Sequence, residues 1–222
     1  MSIVIAVDGT AASGKGTLAK RLAAHFGFAH LDSGALYRLT ALAVLEAGGD
    51  PKNEHDAVRG AQSMDLSRAG DPAIRNDIVG KAASHVAAIP AVRSALLEFQ
   101  RNFLAHPPGG SPGAVLDGRD IGTVICPTAT AKLYVDARPE VRARRRWNEL
   151  KGMNLRRAEQ DVLAELNARD AADKCRPIAP LKQAPDADLL DTSVLGIDAA
   201  FAAALALVTP RIEGALKDRH RG

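Results

Sequence analysis

The chain has 222 residues, a length suited to one domain with a single core. Apolar residues make up 46%, charged residues 25% and aromatic residues 4%, an ordinary globular composition with few rings on which nucleic-acid bases could stack. Lys and Arg outnumber Asp and Glu by 29 to 26, and the excess concentrates in RPEVRARRRW (138–147) and LRR (155–157), a pattern that a small anionic substrate explains as well as a nucleic acid does.

No apolar run approaches the roughly 18 residues of a membrane span, and Asp8 interrupts the first apolar segment before it could serve as a signal core. A cytoplasmic chain is expected. Cys126 and Cys175 have no CxxC spacing, so reduced thiols without a structural role are expected.

In chain order, SIVIAV (2–7) is β-branched and apolar on both faces, as a strand inside a parallel sheet would be. Leu18, Leu22 and Phe26 recur every four residues opposite Lys20, Arg21 and His25, which predicts a helix over 15–26 capped by Gly27. HLD (30–32) reads as a short strand, and ALYRLTALAVLEAGG as a helix stopped by Gly48 and Gly49. Residues 50–75 are polar and weakly patterned, with no strand expected. Helices follow over 76–89 and from Pro90, a residue suited to a first turn. After the loop HPPGGSPG (106–113) come strands at 114–117 and 132–137, helices at 139–151 and 155–173, a loop near PIAPL, a strand at 188–192 and an alanine-rich helix from about 197. Strands alternating with helices predict an α/β fold: a central parallel sheet of about five strands covered by helices on both faces, with functional groups at the carboxyl ends of the strands.

One segment explains itself chemically. GTAASGKGT, residues 9–17, joins the first strand to the first helix as GxxxxGK. Glycine permits the positive φ that lets successive backbone N–H groups converge on one anion, and the following helix adds the positive end of its dipole. A P-loop of this form makes Gly9, Thr10, Ala11, Ala12, Ser13, Gly14, Lys15, Gly16 and Thr17 candidate contacts for the phosphates of ATP, with Lys15 reaching the outer ones. The hydroxyl follows the lysine one place late, at Thr17. Thr17 is therefore a candidate either for Mg²⁺ or for a phosphate oxygen, with Mg²⁺ arriving on ATP in both cases.

Four further segments, LDSGALYR (31–38), ASHVAAIPAVR (83–93), DGRDIGT (117–123) and RDAADKCRPIAPL (169–181), together with the loop resemble bacterial cytidylate kinases, in order and over nearly the whole length. The resemblance implies a P-loop NTPase three-layer fold and one nucleoside monophosphate kinase domain over 1–222, with an acceptor-binding insert at about 50–90 and a lid at about 142–176. It implies transfer of the γ-phosphoryl group of ATP to CMP or dCMP by a monomer that binds neither nucleic acid nor membrane. It implies catalytic roles for Lys15, Arg119, Arg169 and Arg176. Arg38, Arg119 and Arg176 would hold the acceptor phosphate, Arg169 and Asp173 the ribose, Ser84 and Arg93 the base, with Ser33 near the nucleotide.

The residue chemistry supports part of this independently. A phosphate monoester is already a nucleophile at neutral pH, so positioning and charge neutralisation suffice, and the planar guanidinium fork suits phosphate oxygens. Arg169, Asp173 and Arg176 are four and three residues apart, on one face if the helix runs that far; a solvated i,i+4 salt bridge has the same spacing. Asp120 can accept from the cytosine amine. Ser84 alone reads better as a polar residue on its helix, and Asp117 either as a strand-end carboxylate facing the metal through water or as a helix-capping or turn residue before Gly118. RARRR (142–146) fits a hinged lid that excludes water, with a solvated basic helix as the alternative.

The segment between GGDP and KAASHVAAIP is shorter than the β-rich insert that family members often carry there, which leaves domain closure and the preference among CMP, dCMP and UMP open. His25, His30, His55, His85, His106 and His220 lack metal spacing and read as structural or surface residues. A regulatory GTPase would need an NKxD segment, which does not occur. The nearest enzymatic rival is a kinase of another small acceptor, such as shikimate or dephospho-coenzyme A, which the DGRDIGT and 84–93 segments disfavour.

Overall fold

The computed structural model describes residues 2–152 and 155–219. Its first strand, β1 (Ile3–Gly9), is central in a five-stranded sheet that also contains β2 (Ala29–Asp32), β3 (Gly113–Gly118), β4 (Ala131–Asp136) and β5 (Asp188–Asp191), in the order β2-β3-β1-β4-β5. β1 runs parallel to both β3 and β4, and β4 parallel to β5. Every residue of β1 is buried, as its unbroken apolar run requires of a strand covered on both faces.

One face carries Ile3, Ile5 and Val7 of β1 with Leu133 and Val135 of β4, packed against α1 (Lys15–Phe26) and α8 (Ile197–Arg219). Residues such as Ile5, Leu22 and Leu133 are at most 1% exposed, and each such side chain contributes about 1.5–3 kcal/mol of burial. By length and composition Ile197–Lys217 could cross a membrane, contrary to the expectation from the sequence that no apolar run is long enough. Its alanines make it apolar, and Ala200, Ala204, Val208 and Ile212, spaced four residues apart, seat it on the sheet instead. α6 (Pro139–Gly152) and α7 (Glu159–Cys175) pack on each other through Ala143, Leu150, Val162 and Leu166.

The chain forms two compact units, one of Met1–Leu31 with His106–Gly222 and one of Asp32–Ala105. The second unit is helical: α2 (Ser33–Glu46), α3 (Glu54–Ser63), α4 (Asp77–Val86) and α5 (Pro90–Ala105). α3 lies in the stretch that carried no clear pattern. It is started by Asn53, whose side chain accepts from the Asp56 amide at 3.1 Å, and by Glu54 and Asp56 in its first turn. Gly60, a poor helix former, is what lets it approach α2, since a Cβ there would lie 2.8 Å from the Thr40 carbonyl oxygen.

Candidate active site

The turn from β1 into α1 is built on unusual backbone angles: Gly9 has φ 152°, Ala12 φ 59° and Gly14 φ 92°. A Cβ at Gly9 would run into the Val135 carbonyl of β4. Ala12 is left-handed without being glycine, a strain of about 1–2 kcal/mol held by its surroundings. Those surroundings occupy the carbonyls of Thr10, Ala11, Ser13 and Gly14. Thr10 O accepts from Ser13 Oγ at 3.0 Å and from Lys15 Nζ at 3.5 Å; Ala11 O accepts from Arg142 Nη1 at 3.1 Å. Ser13 O accepts from Thr192 Oγ1 at 2.8 Å and Arg145 Nη1 at 3.3 Å, and Gly14 O from the Leu18 amide at 3.0 Å. With the acceptors drawn into the protein and Gly14 giving α1 no side-chain cap, the loop and the helix N-terminus form a concentration of N–H dipoles suited to an anion. Thr10 Oγ1 donates to Asp136 Oδ1 at 2.6 Å and ties the loop to the end of β4.

At the end of β3, Asp117 is 3% exposed. Its Oδ1 lies 2.9 Å from His30 Nε2, and its Oδ2 lies 3.4 Å from where a Gly16 Cβ would be, beside the start of α1. It does not cap a helix, and His30, read as a structural or surface residue, is its partly buried partner. Beyond it Asp120 is 5% exposed and opens a π-helical turn, Ile121–Ile125, whose Val124 and Ile125 amides both donate to the Asp120 carbonyl. Asp8, the last acidic residue before the loop, fixes that turn: Oδ1 accepts from Ile121 N at 2.8 Å and Oδ2 from Gly122 N at 2.7 Å. Burial pushes the Asp8 carboxyl up to about 7, against the pull of these two amides.

Arg119 Nε donates to Asp173 Oδ2 at 2.8 Å, and Arg176 Nη1 stands 3.7 Å from Asp173 Oδ1. α7 does extend far enough to align Arg169 and Asp173, and Arg176 caps its end, with Nη2 donating to Ala179 O at 2.6 Å. Burial raises the Asp173 carboxyl, but the charge and hydrogen bond of Arg119, with the charges of Arg169 and Arg176, more than offset it and hold it below the ordinary carboxylate range. Three of the predicted arginines are thus gathered around one ionised carboxylate.

In the second unit, Ser33 is buried at the first turn of α2, directly after the capping Asp32. Arg38 Nη1 donates to Ile74 O at 2.7 Å, and its guanidinium lies over Gly80 of α4. Ser84 is exposed and its hydroxyl donates to Gly80 O at 3.3 Å, the hydrogen bond of a polar residue on its own helix. Arg93 is 8% exposed, donates to Ala87 O at 3.4 Å and faces the Tyr37 ring.

Sequence reasoning missed Asp8, Asp170 and Thr192, and it assigned Arg142 and Arg145 to a lid without their contacts to the loop carbonyls. Arg142 and Arg145 sit in RARRR, whose i,i+3 spacing puts them on one face. Rather than facing solvent, Arg142 is buried beneath the loop, and Arg145 donates to Thr192 O at 2.6 Å as well as to Ser13. His220 lies outside the described residues.

A parallel sheet whose central strand ends in a phosphate-type loop, with a cluster of arginines beside it, defines a P-loop phosphotransferase. A model of the cytidylate kinase family matches residues 5–209. A cytidylate kinase of Rhodopseudomonas palustris is 55% identical over 206 residues, 93% of this chain and 95% of its own, and one of Bradyrhizobium diazoefficiens is 52% identical over 220 residues, 99% and 100% of the two chains. Among solved structures, an uncharacterized protein from Eubacterium ventriosum matches with TM-score 0.52 at 13% identity over 93% of this chain and 98% of its own, a likeness of fold. The chain belongs to the cytidylate kinase family.

Proposed function

We propose that this chain performs the family's reaction, ATP-dependent phosphorylation of CMP and dCMP to their diphosphates, with the residues described above in the following roles. Amides of the loop Gly9–Thr17, other than that of Ala11, which points to Asp170 Oδ1 at 3.4 Å, and the N-terminus of α1 hold the triphosphate, and Lys15 neutralises its terminal phosphate. Arg119, Arg169 and Arg176 offset the charge that two polyanions bring together as the acceptor oxygen attacks in line. Asp173 keeps these guanidiniums apart and aimed, and with Arg169 serves the ribose. Asp120 accepts from the cytosine amine. Ser33, Arg38, Ser84 and Arg93 of the second unit are acceptor contacts in this reading; for Ser84 that requires leaving its bond to Gly80.

Among the described residues no group of three or more His, Cys, Asp or Glu could hold a metal ion. Thr17 and Asp117, whose Oδ2 is turned toward Gly16, offer hard oxygen donors at the loop, a set that fits an ion carried chiefly by the nucleotide. Bound there, Mg²⁺ would neutralise the β- and γ-phosphate oxygens. α6 and α7 would cover the donor phosphates, with Arg142 and Arg145 at the base of that lid, and the enzyme would act as a cytoplasmic monomer.

The observation that carries this reading is a loop whose Thr10, Ala11, Ser13 and Gly14 carbonyls are engaged by protein donors while Arg119 and Arg176 converge on Asp173 in the same unit. A coupled assay of ADP release with Mg²⁺ and ATP, run across CMP, dCMP, UMP, AMP and shikimate, tests it. Turnover highest with CMP and dCMP is expected; turnover only with another acceptor would overturn it.

A further inference from the structure

Ala11 of the loop is held at both of its backbone polar groups. Its N–H points to Asp170 Oδ1 at 3.4 Å, and its carbonyl accepts from Arg142 Nη1 at 3.1 Å. Arg142 and Asp170 close the ring with an ion pair of 2.6 Å, and their side chains are only 4% and 8% exposed. Arg142 is fixed in turn by Nε donating to Ala137 O at 2.8 Å, at the entry to α6. The Ala11 methyl group is buried with Ala143, Leu150, Val162 and Leu166, so the tip of the loop belongs to the packing of α6 on α7.

A buried ion pair gains little stability over well-packed apolar groups, because desolvation cancels most of the attraction. It does impose one geometry. Here that geometry joins Ala11 to α7, the helix that carries Arg169 beside Asp170 and Asp173 one turn further on.

We propose that the Arg142–Asp170 pair is a positioning device that locks the loop to α7, so that the donor-phosphate amides and the arginine-bearing face of α7 form one body and binding of either nucleotide strengthens binding of the other. The coupling part of this rests on the donor and acceptor assignments above. Neither residue touches a reacting atom in this account. A residue of this kind changes the register of the loop against α7, and a misplacement of about 1 Å is enough to cost on the order of a hundredfold in rate.

The test uses Asp170→Asn, Arg142→Lys and the double variant Arg142→Met with Asp170→Leu, which removes both buried charges together. Calorimetric titration gives CMP affinity alone and with a non-hydrolysable ATP analogue, and hydrogen exchange reports the amides of residues 9–14. In the unaltered enzyme the analogue should tighten CMP by roughly fivefold or more. Asp170→Asn and Arg142→Lys should bring that factor close to one and speed exchange of the loop amides, with CMP affinity alone unchanged. The double variant, with no charge left unpaired, should recover thermal stability and still lack the coupling, which a purely structural role would restore. Wild-type coupling and wild-type loop exchange in the double variant would overturn the proposal. If the unaltered enzyme bound neither nucleotide, the assignment of donor and acceptor would fall, while loop exchange in the variants would still decide whether the pair holds the loop.

Discussion

Gly9 has almost no freedom to change. Its φ of 152° and the Val135 carbonyl beside it leave no place for a Cβ, so Gly9→Ala must move either β4 or the loop. A loss of roughly 2–4 kcal/mol in urea denaturation is expected. One residue earlier, Asp8 gives stability a pH signature. With its carboxyl pushed up to about 7 from the ordinary 3.8, the folded chain holds a proton across that window that the unfolded chain has released. The contribution of Asp8 to stability is therefore full below about pH 4 and declines as pH rises through 7. Asp8→Asn removes the titration and one of the two amide acceptors, so the variant should compare better with the parent at pH 8 than at pH 5; urea midpoints at both values check this, and a gap independent of pH would contradict it. At Asp120 the prediction is functional: Asp120→Asn should cut kcat/KM for CMP by about 1–3 kcal/mol, the range for one good base contact. Steady-state kinetics with CMP that matched the parent would remove Asp120 from the base-binding role.

At the scale of elements, α7 ties several arginines to one carboxylate. The Arg119 and Asp173 side chains are 15% and 14% exposed, so removing the carboxylate strands buried positive charge. Asp173→Asn should cost about 2–4 kcal/mol near neutral pH. Because the Asp173 carboxyl is held below its ordinary range, its contribution is present above about pH 4 and is lost as pH falls through the lowered value, so the deficit of the variant should shrink in acid. Denaturation curves at pH 7 and pH 3 measure both. The elements also show what was legible in advance. The buried run of β1 and the four-residue spacing of α1 are local patterns, and they predict their elements closely, whereas α7 begins at Glu159, four residues after its expected start, and ends at Cys175 just before Arg176. α3 was not legible, because Gly60 weakens its helical pattern for the sake of a contact with Thr40 and Val44 that only the packed unit contains. The π-helical turn after Asp120 was hidden for a similar reason, since the carboxylate that holds it, Asp8, is 113 residues away. Arg142 and Arg145 carried a visible spacing, but which way a basic face turns depends on Ala11, Ser13, Asp170 and Thr192, all remote in sequence.

On the scale of the whole chain, the five motifs and their order carried the resemblance to the family, and the family match over residues 5–209 agrees with that reading. Composition was less informative about α8, whose apolar character belongs to a helix laid on the sheet. Presentation of the terminal phosphate of ATP to a second phosphate ester depends most directly on the Lys15 side chain. Turnover of CMP and separate calorimetric binding of CMP, compared between the parent and Lys15→Met, is the measurement that tests it. The parent should convert CMP to its diphosphate, and Lys15→Met should bind CMP as before while losing on the order of 10²–10³ in kcat, the scale for one charge-stabilising donor. A Lys15→Met enzyme that turned over CMP at the parent's rate, or a parent that left CMP unphosphorylated in the presence of ATP and Mg²⁺, would contradict it.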